Sequence, residues 1–396
     1  MTRLVEFLHY LRFIPLFLCL SAIAYYGYAI YAAHRFFSQT DRYDPNFHPS
    51  VSILKPVCGR DRDAYKNLAS FCGQDYPNYQ IIFAVHDWAD AGIDVIKQII
   101  SDFPVVDIQL VVSDRAIGTN RKVNNIANAM TKAQAEIILL ADSDVFVEPN
   151  YLRQVVQPLN SLSVGVVTCL YRSMTEGWLT QLEALSSATE FLAGVLVSNQ
   201  LEGVKFAMGQ TIVMRRSVLE EIGGFEAIAG YLADDFQLGY LSTQAGYKGA
   251  LSHHIVDHVM ATSTLAGALQ RQLRWMVGIR VSRPWGYLGL IFTYGTVASL
   301  LFLLITAGSL FGWIILMITW TMRLAMAWFV GVKSIRDPVA KNLLWLVPLR
   351  DLISFVLWCY GFMGDTIQWR DHQFKLTRKG ELVAYPSMSE KVKAIS

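Results

Sequence analysis

Two long apolar stretches constrain this chain more than any other feature. Phe13 to Ala33 is a run of 21 residues without a charge, and Pro284 to Met322 is another of 39. A membrane-crossing helix needs about 20 such residues. The first run is read as an anchor. The alternative, a cleavable signal peptide, has an apolar core of about 7–15 residues ending in a small-residue cleavage site; here Tyr25, Tyr26, Tyr28 and Tyr31 fill the second half. The second run is long enough for two spans, with Gly308 to Gly312 as the turn and the second span continuing past Arg323 to Val330. A third apolar stretch, Leu343 to Met363, is interrupted by Pro348, Arg350 and Asp351. Charges at bilayer depth are costly unless paired, so Arg350 and Asp351 are expected to pair with each other or with polar neighbours.

Charge suggests the topology. The loop with Lys333, Arg336 and Lys341 is basic, and so is the tail with Arg370, Lys375, Arg378 and Lys379. By the positive-inside rule both face the cytosol. Segment 343–363 then enters and leaves on one side, as a re-entrant or kinked hairpin broken at Pro348; a plain fourth span is the alternative. The chain divides into an anchor (1–34), a hydrophilic domain (35–283), two transmembrane helices (284–332), a basic loop with the re-entrant or spanning segment (333–368), and a cytosolic tail (369–396). With 53% hydrophobic and 17% charged residues and a net charge of +2, the chain is neither disordered nor equipped with the basic footprint of a nucleic-acid binder. Five cysteines without a CxxC pair exclude a disulfide scaffold and a structural zinc site, and suit a reducing compartment.

Within the hydrophilic block, strand-like and helix-like runs alternate. Strands are expected at Val51–Leu54, Gln80–Val85, Asp107–Val112, Glu136–Ala141 and Val164–Cys169, with helices at Ala64–Cys72, Ala91–Ser101, Lys122–Met130 and Tyr151–Asn160. Such alternation with continuously apolar strands implies a mostly parallel sheet covered on both faces. Ligands of such sheets bind beyond the carboxyl ends of the strands.

Those ends carry acids. Asp87 follows one strand; Asp142 and Asp144 follow another as Asp-Ser-Asp. Two carboxylates so spaced can share a divalent cation with a diphosphate, although such a turn is also common without a metal. Asp234-Asp235 precedes an apolar helix, where an acid pair is either a helix-terminus feature or the source of a general base. Arg271 and Arg274, three apart, share a helix face and are followed by Trp275. They suit a diphosphate leaving group or, alternatively, the membrane surface. Lys122 adds positive charge to the site or is a surface lysine. His253, His254 and His258 are read as surface histidines, one of which can complete a metal shell. Cys58 and Cys72 are read as core residues. Trp178, Leu182, Leu185, Leu192 and Leu196 recur at helical spacing opposite Gln181, Glu183, Ser187 and Glu190, giving an amphipathic helix that faces the core or lies at the membrane interface.

The order of these elements resembles the ceramide glucosyltransferase family, inverting enzymes of the GT-A fold. That family carries three successive aspartate motifs and a closing (Q/R)xxRW, matched here by Asp87, by Asp142 with Asp144, by Asp235, and by Arg271, Arg274 and Trp275. Ser52-Ile-Leu-Lys55-Pro56 and Asn120-Arg-Lys122-Val-Asn124-Asn125 look similar too. Leu68–Pro77 and Val164–Arg172 resemble the bacterial hopanoid-biosynthesis-associated branch, which is thought to move an N-acetylhexosamine onto a lipid. The chain departs from the ceramide pattern in having no histidine between Trp178 and Gly209.

The resemblance implies an α/β GT-A (Rossmann-like) nucleotide-sugar domain inserted between transmembrane helices. It implies a donor, UDP-glucose or UDP-N-acetylglucosamine, held at Asp87, Asp142, Lys122, Arg271, Arg274 and Trp275, with Mn2+ or Mg2+ at Asp144 and Asp142. It implies Asp235 as the base, with Asp234 the alternative, acting on the hydroxyl of a lipid such as ceramide. The expected partners are a UDP-sugar, a membrane lipid and the bilayer, with no nucleic acid, in a bacterial inner membrane with the catalytic domain facing the cytosol. The competing readings are a processive polysaccharide synthase, which needs more spans to form a channel, and a non-catalytic lipid-binding protein.

Overall fold

The computed structural model describes residues 11–39, 43–262, 264–369 and 372–384. The expected Arg370 lies outside them. Helix α1 (Phe13–Ser38) is followed by alternating elements: β1 (Val51–Pro56), α2 (Ala64–Ser70), β2 (Tyr79–Val85), α3 (Gly92–Asp102), β3 (Asp107–Val112), α4 (Arg121–Met130), β4 (Ile137–Leu140), the short β5 (Val145–Phe146), and α5 (Tyr151–Val155). The long β6 (Val164–Thr175) leads into α6 (Trp178–Ser186), a π-helical turn (Ser187–Phe191) and α7 (Leu192–Glu202). Then come β7 (Ile212–Arg215), α8 (Arg216–Glu221), α9 (Asp234–Gln244), β8 (Lys248–Met260) and α10 (Leu265–Ser282).

The eight strands form one sheet in the order β3-β2-β1-β4-β7-β6-β8-β5. Pairings β3–β2, β2–β1, β1–β4 and β6–β8 are parallel; β4–β7, β7–β6 and β8–β5 are antiparallel. The sheet is therefore mixed rather than mostly parallel. Its first half follows the expectation from buried apolar strands such as Ile81–Val85. The second half departs because β7 reverses direction between β4 and β6. Asn120 starts α4 by accepting a bond from the Val123 N–H at 3.2 Å.

Among the described residues, three helices are long and apolar enough to cross a membrane: Phe13–Ser38, Leu310–Ser334 and Pro338–Tyr360. A fourth is available if Pro284–Thr293 and Gly295–Ile305 count as one span, bent by 52°. The first of the two expected C-terminal spans is thus broken at Tyr294. Tyr26 of α1 satisfies the break: its hydroxyl donates to the Thr293 carbonyl at 2.8 Å and accepts from the Gly295 N–H at 3.0 Å. A freed backbone group in an apolar layer needs such a partner. Along α1 the buried Cys19, Ala22, Tyr26, Ala29 and Ala33 form a mostly small stripe, which lets neighbouring helices approach closely. A Cβ added at Gly295 would lie 2.8 Å from that of Ala22. The expected turn is present at Gly308, with φ +71°.

The helical run Pro338–Tyr360 shows no reversal at Pro348, which sits in the first turn of its longer helix, Val347–Tyr360. Both ends of the run nevertheless touch the hydrophilic domain. At its start, Asp337 accepts the Ser173 N–H of β6 at 3.0 Å. Beyond its end, Arg280 of α10 donates to the Gly364 carbonyl at 3.0 Å. The chain then forms a three-stranded sheet, β9 (Thr366–Trp369), β10 (His372–Leu376) and β11 (Leu382–Ala384). Ile367, Phe374, Leu376 and Leu382 pack it on Val277, and the Leu382 N–H donates to the Gly230 carbonyl at 2.7 Å.

Arg350 and Asp351 do not pair with each other by hydrogen bonding. Asp351 instead receives Arg323, whose Nη2 lies 2.8 Å away. The polar positions of the amphipathic helix are covered rather than solvated: Glu183 and Ser187 are buried, and Glu190 accepts the Ser354 hydroxyl at 2.7 Å. This helix forms the seam between the domain and the membrane helices. Cys72 is in the core as expected, but Cys58 is exposed in the loop after β1.

Candidate active site

The site forms where β1, β4 and β8 end and β5 begins. Asp142 and Asp144 sit between β4 and β5. The Val145–His258 register and the bond from the Val259 N–H to the Asp144 carbonyl (2.8 Å) set Asp144 beside His258. His258 Nε2 lies 3.3 Å from Asp144 Oδ2, and its ring stands edge-on to Tyr171 at 5.6 Å. His258 is therefore a part-buried site residue and not a surface histidine. His254 is buried as well, and its Nδ1 meets Gln154 Oε1 at 2.9 Å.

Lys122 resolves to the site. From α4 its ammonium reaches Asp142 Oδ1 at 2.7 Å and Asp234 Oδ2 at 3.4 Å. Burial opposes its charge, but Asp142, Asp234 and Asp235 together hold it firmly protonated. Lys55 was not singled out for a role in the site, yet it is fully buried on β1 and donates to the Asp142 carbonyl at 2.6 Å. Burial pushes it down to about 7, against the pull of Asp142 and Asp144. Gly209 was also missed. Its N–H donates to Asp235 Oδ2 at 3.1 Å, and a Cβ there would lie 2.9 Å from Asp142 Oδ2. The Ser52–Pro56 stretch around Lys55 resembles the family, but no local signal gives either residue its role, because each acts through partners far away in the chain.

The acid pair opens α9, and its two members differ. Asp234 is buried and tied to Lys122 and Asn120. Asp235 is only part-buried and accepts two backbone N–H groups, those of Gly209 and Phe236. Burial, with Asp234 alongside, raises Asp235 to about 6 despite Lys122. A carboxyl poised there can exchange a proton near neutral pH.

The arginines diverge. Both lie on α10, but Arg271 forms a two-pronged pair with Glu183, at 2.7 and 2.6 Å, and feels Asp144 electrostatically. Arg274 stacks over Trp369 of the C-terminal sheet at 5.5 Å. Trp275 is part-exposed on the same helix. Asp87 is exposed after β2, where it accepts the Ala89 N–H at 2.8 Å. Among the described residues it touches no member of the acid cluster. Its neighbour Asp90 binds the Gly59 N–H through both oxygens at 2.9 Å, joining the loops after β1 and β2.

A cation fits this cluster. Asp144 Oδ1 is buried and has no hydrogen-bond partner among the described residues. Burial works against the Asp144 charge, but His258, Lys55 and Lys122 keep its carboxyl below the usual range. No group of three or more protein ligands is assembled among the described residues. A hard cation held by one or two carboxylates needs no more, because substrate phosphates supply the rest.

The sequence profile of glycosyl transferase family 21 matches residues 14–382. The chain belongs to that family. It is therefore a sugar-transferring enzyme, and the match takes in the hydrophilic domain and the apolar helices alike. It is 27% identical to ceramide glucosyltransferase 1 of Caenorhabditis elegans over 407 residues, covering 97% of this chain and 82% of that one. It is also 27% identical to ceramide glucosyltransferase 3 of the same organism, covering 85% and 74%. Among solved structures it resembles the mannosyltransferase PcManGT of Pyrobaculum calidifontis, determined with GDP-Man and Mn2+. That likeness has a TM-score of 0.54 at 16% identity and covers 88% of this chain and 96% of that one. The fold is GT-A.

Proposed function

We propose that this enzyme moves a single hexose from UDP-glucose or UDP-N-acetylglucosamine to the hydroxyl of a membrane lipid, ceramide or a related one, with inversion to a β-linked glycolipid. The observation that carries this reading is the contrast within the acid pair. Asp234 is consumed by Lys122, while Asp235 is part-exposed, raised to about 6, and linked through Gly209 to the neighbourhood of Asp142, two residues before Asp144 with its unused oxygen. The names of the C. elegans relatives support a lipid acceptor and glucose.

Asp235 takes the proton of the lipid hydroxyl as that oxygen bonds to the anomeric carbon. The bond from that carbon to the UDP oxygen breaks, and UDP departs with the electron pair. Gly209 and Phe236 orient the Asp235 carboxylate through their N–H groups. Asp142 and Asp144, with His258 beside them, would hold Mn2+ or Mg2+, which neutralises the departing diphosphate when bound. Lys122 fixes Asp142 in place. Arg271 exchanges Glu183 for a phosphate oxygen, while Arg274, Trp275 and Asp87 complete the donor pocket once the substrate is bound.

The basic loop and the packing of both ends of Pro338–Tyr360 on the catalytic domain support a cytosolic domain. The test is a product assay. Full-length protein in detergent receives each UDP-sugar separately, with Mn2+ and a lipid extract, and Asp235→Asn serves as control. Mass spectrometry should find one lipid gaining one sugar, absent in the variant. A ladder of sugars would establish a polymerase instead.

A further inference from the structure

A cavity of about 600 Å³ opens where the membrane helices meet the catalytic domain, and it shares no residue with the acid cluster. His34 and Phe37 line it from the end of α1, Lys333 and Arg336 from the end of the Leu310–Ser334 helix, and Arg172 and His254 from β6 and β8. Its charge is lopsided. Arg172 is neutralised by Asp257, but Lys333 and Arg336 are exposed and have no acidic partner among the described residues. Among the described residues Glu148 is the one acid in the lining. Burial, with Arg172 nearby, pushes His254 down to about 4, so His254 adds no positive charge at pH 7.

The backbone here is specially shaped. Residues Trp328–Ser334 form a π-helical turn, a distortion found often at functional sites. Arg336 follows with φ +59°, a conformation costly for a residue with a Cβ. Its neighbour Asp337 holds it there. The Asp337 N–H donates to the Gly331 carbonyl at 2.9 Å, and its carboxylate accepts Ser173 and Ala340 N–H groups at 3.0 and 2.8 Å. The Lys333 ammonium is kept 4.7 Å from the Phe329 ring. Two cations thus lie over a cavity of mixed polarity at the ends of α1 and Leu310–Ser334 that face the catalytic domain.

We propose that this cavity binds the phosphate-bearing headgroup of an anionic phospholipid. The phosphate oxygens meet Lys333 and Arg336, and the acyl chains run down the apolar flank of α1. The proposal rests on α1 and Leu310–Ser334 crossing the bilayer, and it is independent of which sugar or acceptor the enzyme uses.

The test is native mass spectrometry of the full chain in micelles holding equal phosphatidylglycerol and phosphatidylcholine. The expected result is preferential retention of phosphatidylglycerol. Each cation near the membrane surface is worth about fivefold, so Lys333→Ala with Arg336→Ala should cut the preference about 25-fold. Lys341→Ala, an exposed cation of the following helical run outside the cavity, should leave it unchanged. Equal retention of both lipids, an unaffected double variant, or an equal loss from Lys341→Ala would overturn the proposal. Displacement of the lipid by millimolar inorganic phosphate would assign the site to a free anion instead. Glycosyl transfer is not read, so failure here leaves the enzymatic reading untouched.

Discussion

Two charge clusters, one buried and one only partly so, are built on opposite rules. Near the membrane, Arg323 and Asp351 saturate each other. The Arg323 Nε and Nη2 reach both carboxylate oxygens at 2.8–3.1 Å, Thr296 donates to the same carboxylate, and Arg323 Nη1 donates to the Thr189 carbonyl at 3.1 Å. At the sheet's end, four aspartates gather around Lys122 and Lys55. There Asp144 Oδ1 is left without a partner, and Asp235 is shifted upward. A saturated pair holds helices together, because removing either member strands a charge in a dry layer. An unsaturated cluster retains capacity for a proton, a cation or a phosphate. Ionisable groups in spans are often read as functional; this pair is saturated as a structural pair would be, and the chemistry we propose belongs to the cluster with valences to spare.

That contrast can be broken by experiment. Asp235→Asn should lower kcat/KM by about 10²–10⁴-fold with the thermal midpoint nearly unchanged; a comparable loss of stability would mean that the acid cluster too is structural. Arg323→Ala should do the reverse, costing about 3–5 kcal/mol of stability, read by thermal unfolding in detergent. A variant that stays folded but inactive would move Arg323 into the catalytic machinery. Gly209→Ala places a Cβ 2.9 Å from Asp142 Oδ2 and should cost about 1–3 kcal/mol through overpacking, with activity falling more than stability.

The pH dependence should follow Asp235. Its carboxyl must be ionised to accept a proton, and burial with Asp234 beside it raises it to about 6. The rate should be flat above that pH and fall about tenfold per unit below it. Asp234→Asn removes the like charge and should move this acid limb to lower pH. An unmoved limb would assign it to another group.

The legible parts of the molecule are those whose signal is local. The anchor, the strands from Val51 to Leu140 and the strand-end acids at 142 and 144 follow from runs of apolar residues and what comes after them. The mixed half of the sheet was not legible, because a single short strand, Ile212–Arg215, reverses the direction on both sides of it. Glu183 was read as part of a polar face and proved buried. Its partner Arg271 is 88 residues away, so helical spacing showed the stripe but not what covered it. His258 and Asp144 are separated by 114 residues and meet only because β5 pairs with β8. The shared face of Arg271 and Arg274 follows from spacing, but their divergence to Glu183 and Trp369 depends on elements packed from elsewhere.

Hydrophobic periodicity and residue order by themselves determined that this chain has apolar helices flanking an alternating α/β domain with acids at its strand ends, since burial of apolar surface acts residue by residue along a segment. Only the tertiary structure decided which charges meet. It tied Asp234 to Lys122 and left Asp235 open, gave Asp351 to Arg323 instead of its neighbour Arg350, and brought both ends of Pro338–Tyr360 to the same domain. The reason is physical: a buried charge is stabilised by whichever partner the packing brings within hydrogen-bonding reach, and that partner need not be near in sequence.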